Sequence, residues 1–145
     1  MNNKRPVIYL AGTASEREYR KYVKNKYSNN FNLVDPFDYD TEDYILKELA
    51  KETFPKQLVL EIINRDKDLI KCCDILVAYI TKITVGTTME ILLSWELAKD
   101  IYIINPTLEF KRDMWLSYHI TKMFSSIDEC FDFCKEEYKW MSSLV

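Results

Sequence analysis

Three residues of this 145-residue chain have the type and setting to do chemistry on a small molecule: Glu90, Asp66 and Tyr9. Glu90 lies in Val85-Gly86-Thr87-Thr88-Met89-Glu90-Ile91, in the first turn of an expected helix, among apolar neighbours that partly desolvate it. A carboxylate in that setting is suited to act as a nucleophile or to carry a proton. Thr87 and Glu90 also have the spacing of a capping box, and the helix dipole stabilises a first-turn glutamate whatever the protein does. Both readings stand on the spacing alone. Asp66 interrupts an apolar stripe, Leu58, Ile62, Leu69, Ile70 and Cys73, with the i, i+3, i+4, i+7 spacing of a helix face. It is either a functional carboxylate on a buried face or the water-exposed partner of Arg65 or Lys67. Tyr9 stands two residues before the end of an apolar run, where its hydroxyl either reaches a carboxylate such as Glu90 or satisfies an ordinary core position.

These side chains need a scaffold, and the glycines indicate which. The chain has only two, where average composition, roughly 7% glycine, would place about ten. Gly12 ends the run Val7-Ile8-Tyr9-Leu10-Ala11, and Gly86 follows Ile75-Leu76-Val77-Ala78-Tyr79-Ile80 after a short polar link. Both runs read as buried strands followed by helical sequence. In an open α/β sheet ligands bind beyond the carboxyl ends of the strands, where backbone approaches them closely, so both glycines point to one pocket. The segment Gly12-Thr13-Ala14-Ser15, with Arg17 behind it, suits an anion at a helix N-terminus and equally suits a capping turn; Thr84 lies on the other loop.

The pattern predicts strands at 7–11, 31–34, 75–80 and 101–104 and helices near 16–28, 42–52, 57–73 and 88–99, with two helices at the C-terminus. Such alternation implies a Rossmann-like open α/β fold, a mainly parallel sheet with helices on both faces, formed by residues 1–145 as a single domain. Ser15 to Glu18 and Ser126 to Glu129 have capping-box spacing and are expected to start helices.

Composition narrows the partners. Twenty Lys and Arg against 23 Asp and Glu give a formal charge of -3, spread along the chain, which argues against a nucleic-acid polymer. No apolar run approaches the roughly 20 residues of a membrane helix, and Met-Asn-Asn-Lys-Arg-Pro is not a signal-peptide start, so a cytoplasmic protein without membrane contact is expected. Cys72, Cys73, Cys130 and Cys134 lack metal-ligand spacing and are expected to be reduced packing residues; with His119 the lone histidine, no metal or other cofactor is expected.

In this order the residues resemble a known family. Ile8-Tyr9-Leu10-Ala11-Gly12, then Asp66 through Ile70 to Asp74, then Thr84-Val85-Gly86-Thr87-Thr88-Met89-Glu90-Ile91, look like the nucleoside 2-deoxyribosyltransferase superfamily, which includes the 2′-deoxynucleoside 5′-phosphate N-hydrolases. The resemblance spans most of residues 7–105. It implies that Glu90 is the nucleophile, that Asp66 serves the nucleobase, that Tyr9 orients Glu90 and that Asp74 is structural. The pocket read from the two glycines and the turn after Gly12 would hold the substrate at Gly12, Thr13, Ser15, Arg17, Thr84 and Gly86. Thr84 falls where well-known transferases have aspartate and the nucleotide hydrolases a hydroxyl residue, which tilts the substrate towards a 5′-monophosphate. Asp113-Met114-Trp115-Leu116-Ser117-Tyr118-His119 is similar to the tract that completes a neighbouring subunit's site. Trp115 or Ser117 is then a residue acting in trans, though core or dimer packing suits Trp115 better, and a homodimer or larger homo-oligomer is implied. The end, Ser142-Ser143-Leu144-Val145, departs from transferases that place a terminal tyrosine in the pocket.

The expected activity is therefore cleavage of the N-glycosidic bond of a 2′-deoxynucleoside or its 5′-monophosphate, with transfer of the sugar to another nucleobase. Hydrolysis, with water as acceptor, is the nearest rival. A nucleotide-binding protein without turnover is a rival from another class. Cleavage of a dinucleotide such as NAD is disfavoured, because the chain is short for it and has no G-x-G-x-x-G.

Overall fold

The structure is a computed structural model describing residues 4–143, with side chains to residue 141. The C-terminal side chains compared above, and Met1 to Asn3 of the N-terminal stretch, lie outside the described residues. Five strands, β1 (Val7–Gly12), β2 (Asn32–Val34), β3 (Ile75–Tyr79), β4 (Asp100–Ile104) and β5 (Lys122–Phe124), form one sheet in the order β2-β1-β3-β4-β5. Every neighbouring pair is parallel. The helices are α1 (Arg17–Tyr27), α2 (Glu42–Leu49), α3 (Lys56–Cys72), α4 (Val85–Glu96), α5 (Met114–His119), α6 (Ile127–Glu137) and α7 (Lys139–Ser143).

Side chains alternate across a strand, so the central strands divide between two cores. Ile8, Leu10, Ile75, Val77, Tyr102 and Ile104 face α1 and α6, packing with Tyr19, Val23, Tyr27, Cys130, Phe131 and Cys134. Tyr9, Ala11, Leu76, Ala78, Ile101 and Ile103 face the other way, with Ile70 of α3, Ile91 of α4 and Leu116 of α5. The period of two therefore assigns Tyr9 to the face covered by α3 and α4, the helices that carry Asp66 and Glu90. The chain leaves β1 towards β2 on one side and later returns to β3 on the other, which makes β1 and β3 the topological switch point. Their register pairs Gly12 with Tyr79 at the carboxyl ends. At the opposite end Asp74 ties the strands together: the Val7 amide donates to Asp74 Oδ2 at 2.8 Å and the Asp74 amide donates to the Val7 carbonyl.

Several sequence expectations need correcting. The fourth expected helix begins at Val85 rather than near 88, which puts Gly86 and Thr87 inside it. β5 was not expected; it is a three-residue edge strand, too short to show a period. Of the cysteines, Cys73, Cys130 and Cys134 are buried, whereas Cys72 is exposed. Ser15 does not cap α1: its hydroxyl bonds that of Thr13, the helix begins after Glu16, and no side chain caps it. The expected capping box at Ser126 is half realised, since Ser126 Oγ accepts the Glu129 amide while the Glu129 carboxylate accepts from Ser125.

α4 closes without the residue usual at such an end. Ala98 has φ +56°, and the amides of Ala98 and Lys99 bond the carbonyls of Trp95 and Ser94 in the left-handed turn that glycine normally supplies. A left-handed residue with a Cβ costs roughly 1–2 kcal/mol, and glycine's extra unfolded entropy returns part of that. Ala98→Gly should therefore raise unfolding free energy by roughly 0.5–1 kcal/mol, read as a higher urea midpoint with unchanged slope.

Candidate active site

Glu90 is aimed at the sheet by the buried stripe of α4, formed with Thr87, Ile91 and Ser94. Thr87 does not cap: it lies inside the helix, and its hydroxyl accepts from Thr84 Oγ1 at 3.0 Å. Thr84 precedes the helix and also makes no side-chain cap. The carboxylate of Glu90 instead accepts a hydrogen bond from the Tyr9 hydroxyl, Oη to Oε2 2.5 Å, across 81 positions of sequence. Capping was the strongest bland reading of Glu90, and the helix start removes it. Tyr9 is fully buried, so its hydroxyl could not be left without a partner.

Burial pushes the Glu90 carboxyl up to about 7; the Tyr9 hydrogen bond opposes this, the negative charge of Asp66 adds to it and the positive charge of Arg20 opposes it. The same burial, with Glu90 beside it, drives the Tyr9 hydroxyl far above the ordinary phenol range, so it remains a donor at any physiological pH. Asp66 stands on the half-buried stripe of α3. Burial raises its pKa, the Arg65 guanidinium opposes that rise, and Asp40 adds to it. The expected pairing with Arg65 is present, with both side chains only about a fifth exposed, 22% and 21%. Tyr9, Glu90 and Asp66 thus form one electrostatic group on the α3–α4 side of the switch point.

Around the carboxyl ends of β1 and β3 the expected binding residues separate into two sets. Gly12 has φ +152°, and a Cβ there would meet the Tyr79 carbonyl at 3.4 Å, so the fold itself requires this glycine. Gly86 is different: a Cβ would meet nothing within 4 Å, and glycine within a helix costs about 0.5–1 kcal/mol relative to alanine. Thr13 and Ser15 bond each other at 2.6 Å, and Thr84 lies across from them after β3. Arg17, in contrast, turns out to solvent and pairs with Asp43 at 3.0 Å. Trp115 and Ser117 lie on α5; Trp115 is 72% exposed and stacks on His119, while Ser117 donates to the Lys111 carbonyl. Among the described residues neither is hydrogen-bonded to Glu90, Tyr9 or Asp66. No group of three His, Cys, Asp or Glu side chains among the described residues could hold a metal ion.

Two arginines escaped the site prediction. Arg20, 1% exposed, donates to the carbonyls of Thr13 and Ala14 at 2.9 and 3.3 Å and to Glu42 at 2.9 Å, with Asp35 3.5 Å from its Nε. It pins the carbonyls of the loop after β1. Its signal was present, since Arg20, Val23 and Tyr27 share one helical stripe. Arg65 was noted only as a surface partner; it also binds Asp40 at 2.7 Å and the Pro36 carbonyl.

Comparison with solved structures adds the fold relationship. A 2-deoxyribosyltransferase from Bacillus psychrosaccharolyticus superposes with a TM-score of 0.66 at 18% identity, covering 86% of this chain and 89% of that one. A Leishmania mexicana 2-deoxyribosyltransferase gives 0.63 at 19%, over 90% and 97%. A CMP N-glycosidase from Clostridium botulinum gives 0.55 at 16%, over 90% and 98%. The fold is that of the nucleoside 2-deoxyribosyltransferases. No protein-family model and no curated protein sequence matches the chain.

The raised Glu90 carboxyl has a thermodynamic consequence. In the folded protein it binds its proton up to about pH 7, whereas in the unfolded chain it loses it near its ordinary value, 4.5. Its contribution to stability is complete below that lower value and is lost as pH rises through 7, amounting to about 3 kcal/mol. Glu90→Gln keeps an acceptor for Tyr9 and removes the titration. Denaturation curves should show the variant gaining on the wild type by about 3 kcal/mol between pH 4.5 and 8.

Proposed function

We propose that the protein cleaves the N-glycosidic bond of a 2′-deoxynucleoside or its 5′-monophosphate and transfers the sugar to an acceptor nucleobase. The observation that carries this reading is the hydrogen bond from buried Tyr9 to half-buried Glu90, beside the carboxyl ends of β1 and β3 with Asp66 close enough to act on its charge. Glycosidic cleavage passes through an oxocarbenium-like state, which an ionised carboxylate against C1′ stabilises. One Glu90 oxygen attacks C1′ as the C1′–N bond breaks, and the bonding pair leaves with the base, which takes a proton at the Asp66 side. A nitrogen of a second base then attacks C1′, gives up its N–H proton at the Asp66 side and releases the Glu90 carboxylate. The Tyr9 hydroxyl holds the second Glu90 oxygen, which fixes the direction of attack and stabilises the ionised form. The Cβ-free backbone at Gly86 supports close approach of the ligand to the first turn of α4.

Hydrolysis of a 5′-monophosphate is the second reading. It is supported by the hydroxyls of Thr13, Ser15 and Thr84, which flank the mouth and suit a phosphate. Both readings share the covalent step and differ in the acceptor. Incubation with each deoxynucleoside and each 5′-monophosphate, with and without a free base, separates them by chromatography. New nucleoside formed only with added base marks the transferase; free base with deoxyribose or its phosphate marks the hydrolase. Tight binding with no base release would favour a binding protein without turnover. Glu90→Ala should lower turnover by about 10³-fold or more, and Tyr9→Phe by roughly 10–100-fold, the worth of one hydrogen bond to a charged group. Because activity needs ionised Glu90, it should rise with pH through about 7. In Tyr9→Phe that rise should move to higher pH, since the bond that favours the ionised form is gone.

The reading includes assembly with further copies of the chain. Met114, Trp115 and Tyr118 of α5 and Val85 and Met89 of α4 are at least 66% exposed, a concentration of apolar surface that self-association would cover. Trp115 or Ser117 would then complete the neighbouring copy's site. Sedimentation should give a dimer or larger species for the wild type and a smaller one for Met114→Glu.

A further inference from the structure

The segment between β2 and α2 is held residue by residue by cations from two helices. Arg20 lies over the Phe37 ring at 4.3 Å and faces Asp35, while Lys24 binds Asp35 and Asp38, both at 2.8 Å. Arg65 takes the remaining positions: the Pro36 carbonyl at 3.3 Å, the Tyr39 ring at 5.1 Å and Asp40 Oδ2 at 2.7 Å. The same guanidinium then turns to the site, where Nε and Nη2 both donate to Asp66 Oδ1, at 3.1 and 2.9 Å. Among the described residues Asp66 Oδ2 accepts no hydrogen bond. One planar cation thus serves two carboxylates, one belonging to a loop and the other to the catalytic group.

We propose that Arg65 is a positioning residue: by dividing its guanidinium between Asp40 and Asp66, it fixes which Asp66 oxygen is left to meet a ligand and couples that carboxylate to the Asp35–Asp40 loop. This rests on the reading of Asp66 and Glu90 as the base-side and sugar-side carboxylates. The loop becomes a control element for the site. If a ligand or a substitution draws Asp40 away, the whole guanidinium passes to Asp66 and favours its ionised, accepting form. If Arg65 is lost, Asp66 faces Asp40, Glu90 and the Tyr9 hydroxyl without a compensating cation, and Arg20 alone remains to offset Glu90. Two substitutions on one ion-pair chain therefore act on Asp66 in opposite senses, which simple loss of packing would not produce.

The test is a carbon-detected NMR titration of the aspartate carboxyls in the full chain, with Asp66 assigned through Asp66→Asn. Arg65→Gln should raise the proton affinity of Asp66 about tenfold or more, and Asp40→Asn should lower it. An Asp66 midpoint unmoved in Arg65→Gln, or moved upward in Asp40→Asn, would overturn the proposal. If Arg65→Gln does not fold, the sign of the Asp40→Asn shift decides alone. The titration needs no turnover, so it stands apart from the Glu90 experiments: loss of base release in Glu90→Ala with an unmoved Asp66 keeps the functional reading and removes this one. Titration shifts of opposite sign in a protein that releases no base do the reverse.

Discussion

A buried carboxylate must find a hydrogen-bond donor or give up its charge, and the candidate site is organised around how Glu90 meets that demand. The donor is a tyrosine on an inner strand of a parallel sheet, itself too buried to be left unpaired. For the two to meet, β1 must present Tyr9 to the α3–α4 face, β3 must pair in register beside it, and α4 must begin at Val85 so that Glu90 falls on the inner stripe. A one-residue slip of β1 would turn Tyr9 into the opposite core and leave Glu90 without its donor. The parallel strands, the switch point and the helix start converge on one contact of 2.5 Å.

Charge is distributed unevenly around that contact. Glu90, Asp66 and Tyr9 stand together; burial, with the charge of Asp66 added to it, raises the proton affinity of Glu90 towards neutrality, and the Tyr9 hydrogen bond opposes that rise. The neighbouring cations are Arg20 on α1 and Arg65 on α3, and neither forms a hydrogen bond to Glu90. Instead they hold backbone: Arg20 the carbonyls of Thr13 and Ala14, Arg65 that of Pro36. In the proposed reaction this arrangement would leave the carboxylate free for a cationic transition state, because an arginine directly on Glu90 would already neutralise the charge that the proposed chemistry uses. Burial of ionised groups costs stability, and it is tolerated here because each of these cations is shared between carboxylates and carbonyls.

The sheet was legible because its strands are long apolar runs between few glycines, and the alternation of helix and strand left little choice of topology. β5 was not, since Lys122-Met123-Phe124 gains its identity only from pairing with β4. Glu90 was ambiguous for a sharper reason: Thr87 and Glu90 form a capping box if the helix starts after Thr87 and a buried stripe if it starts at Val85, and the sequence permits both. Arg17 looked like the anion binder because it follows Ser15 most closely. The helix turns it towards Asp43 and sends Arg20, three residues on, into the interior, so the arginine that holds the loop after β1 is not the one nearest to Ser15 in sequence. Arg65 was visible beside Asp66, yet its hold on the loop depends on contacts some 25 positions away, which spacing does not reveal.

The central claim is that the Glu90 carboxylate bonds covalently to the sugar. The most direct measurement is mass spectrometry of protein quenched during turnover of a 2′-deoxynucleoside or its 5′-monophosphate, followed by peptide mapping. The account predicts a deoxyribosyl, or phosphodeoxyribosyl, mass increment on the peptide that contains Glu90, absent in Glu90→Gln. Base release with no adduct on that peptide, or with the adduct on another residue, would contradict it.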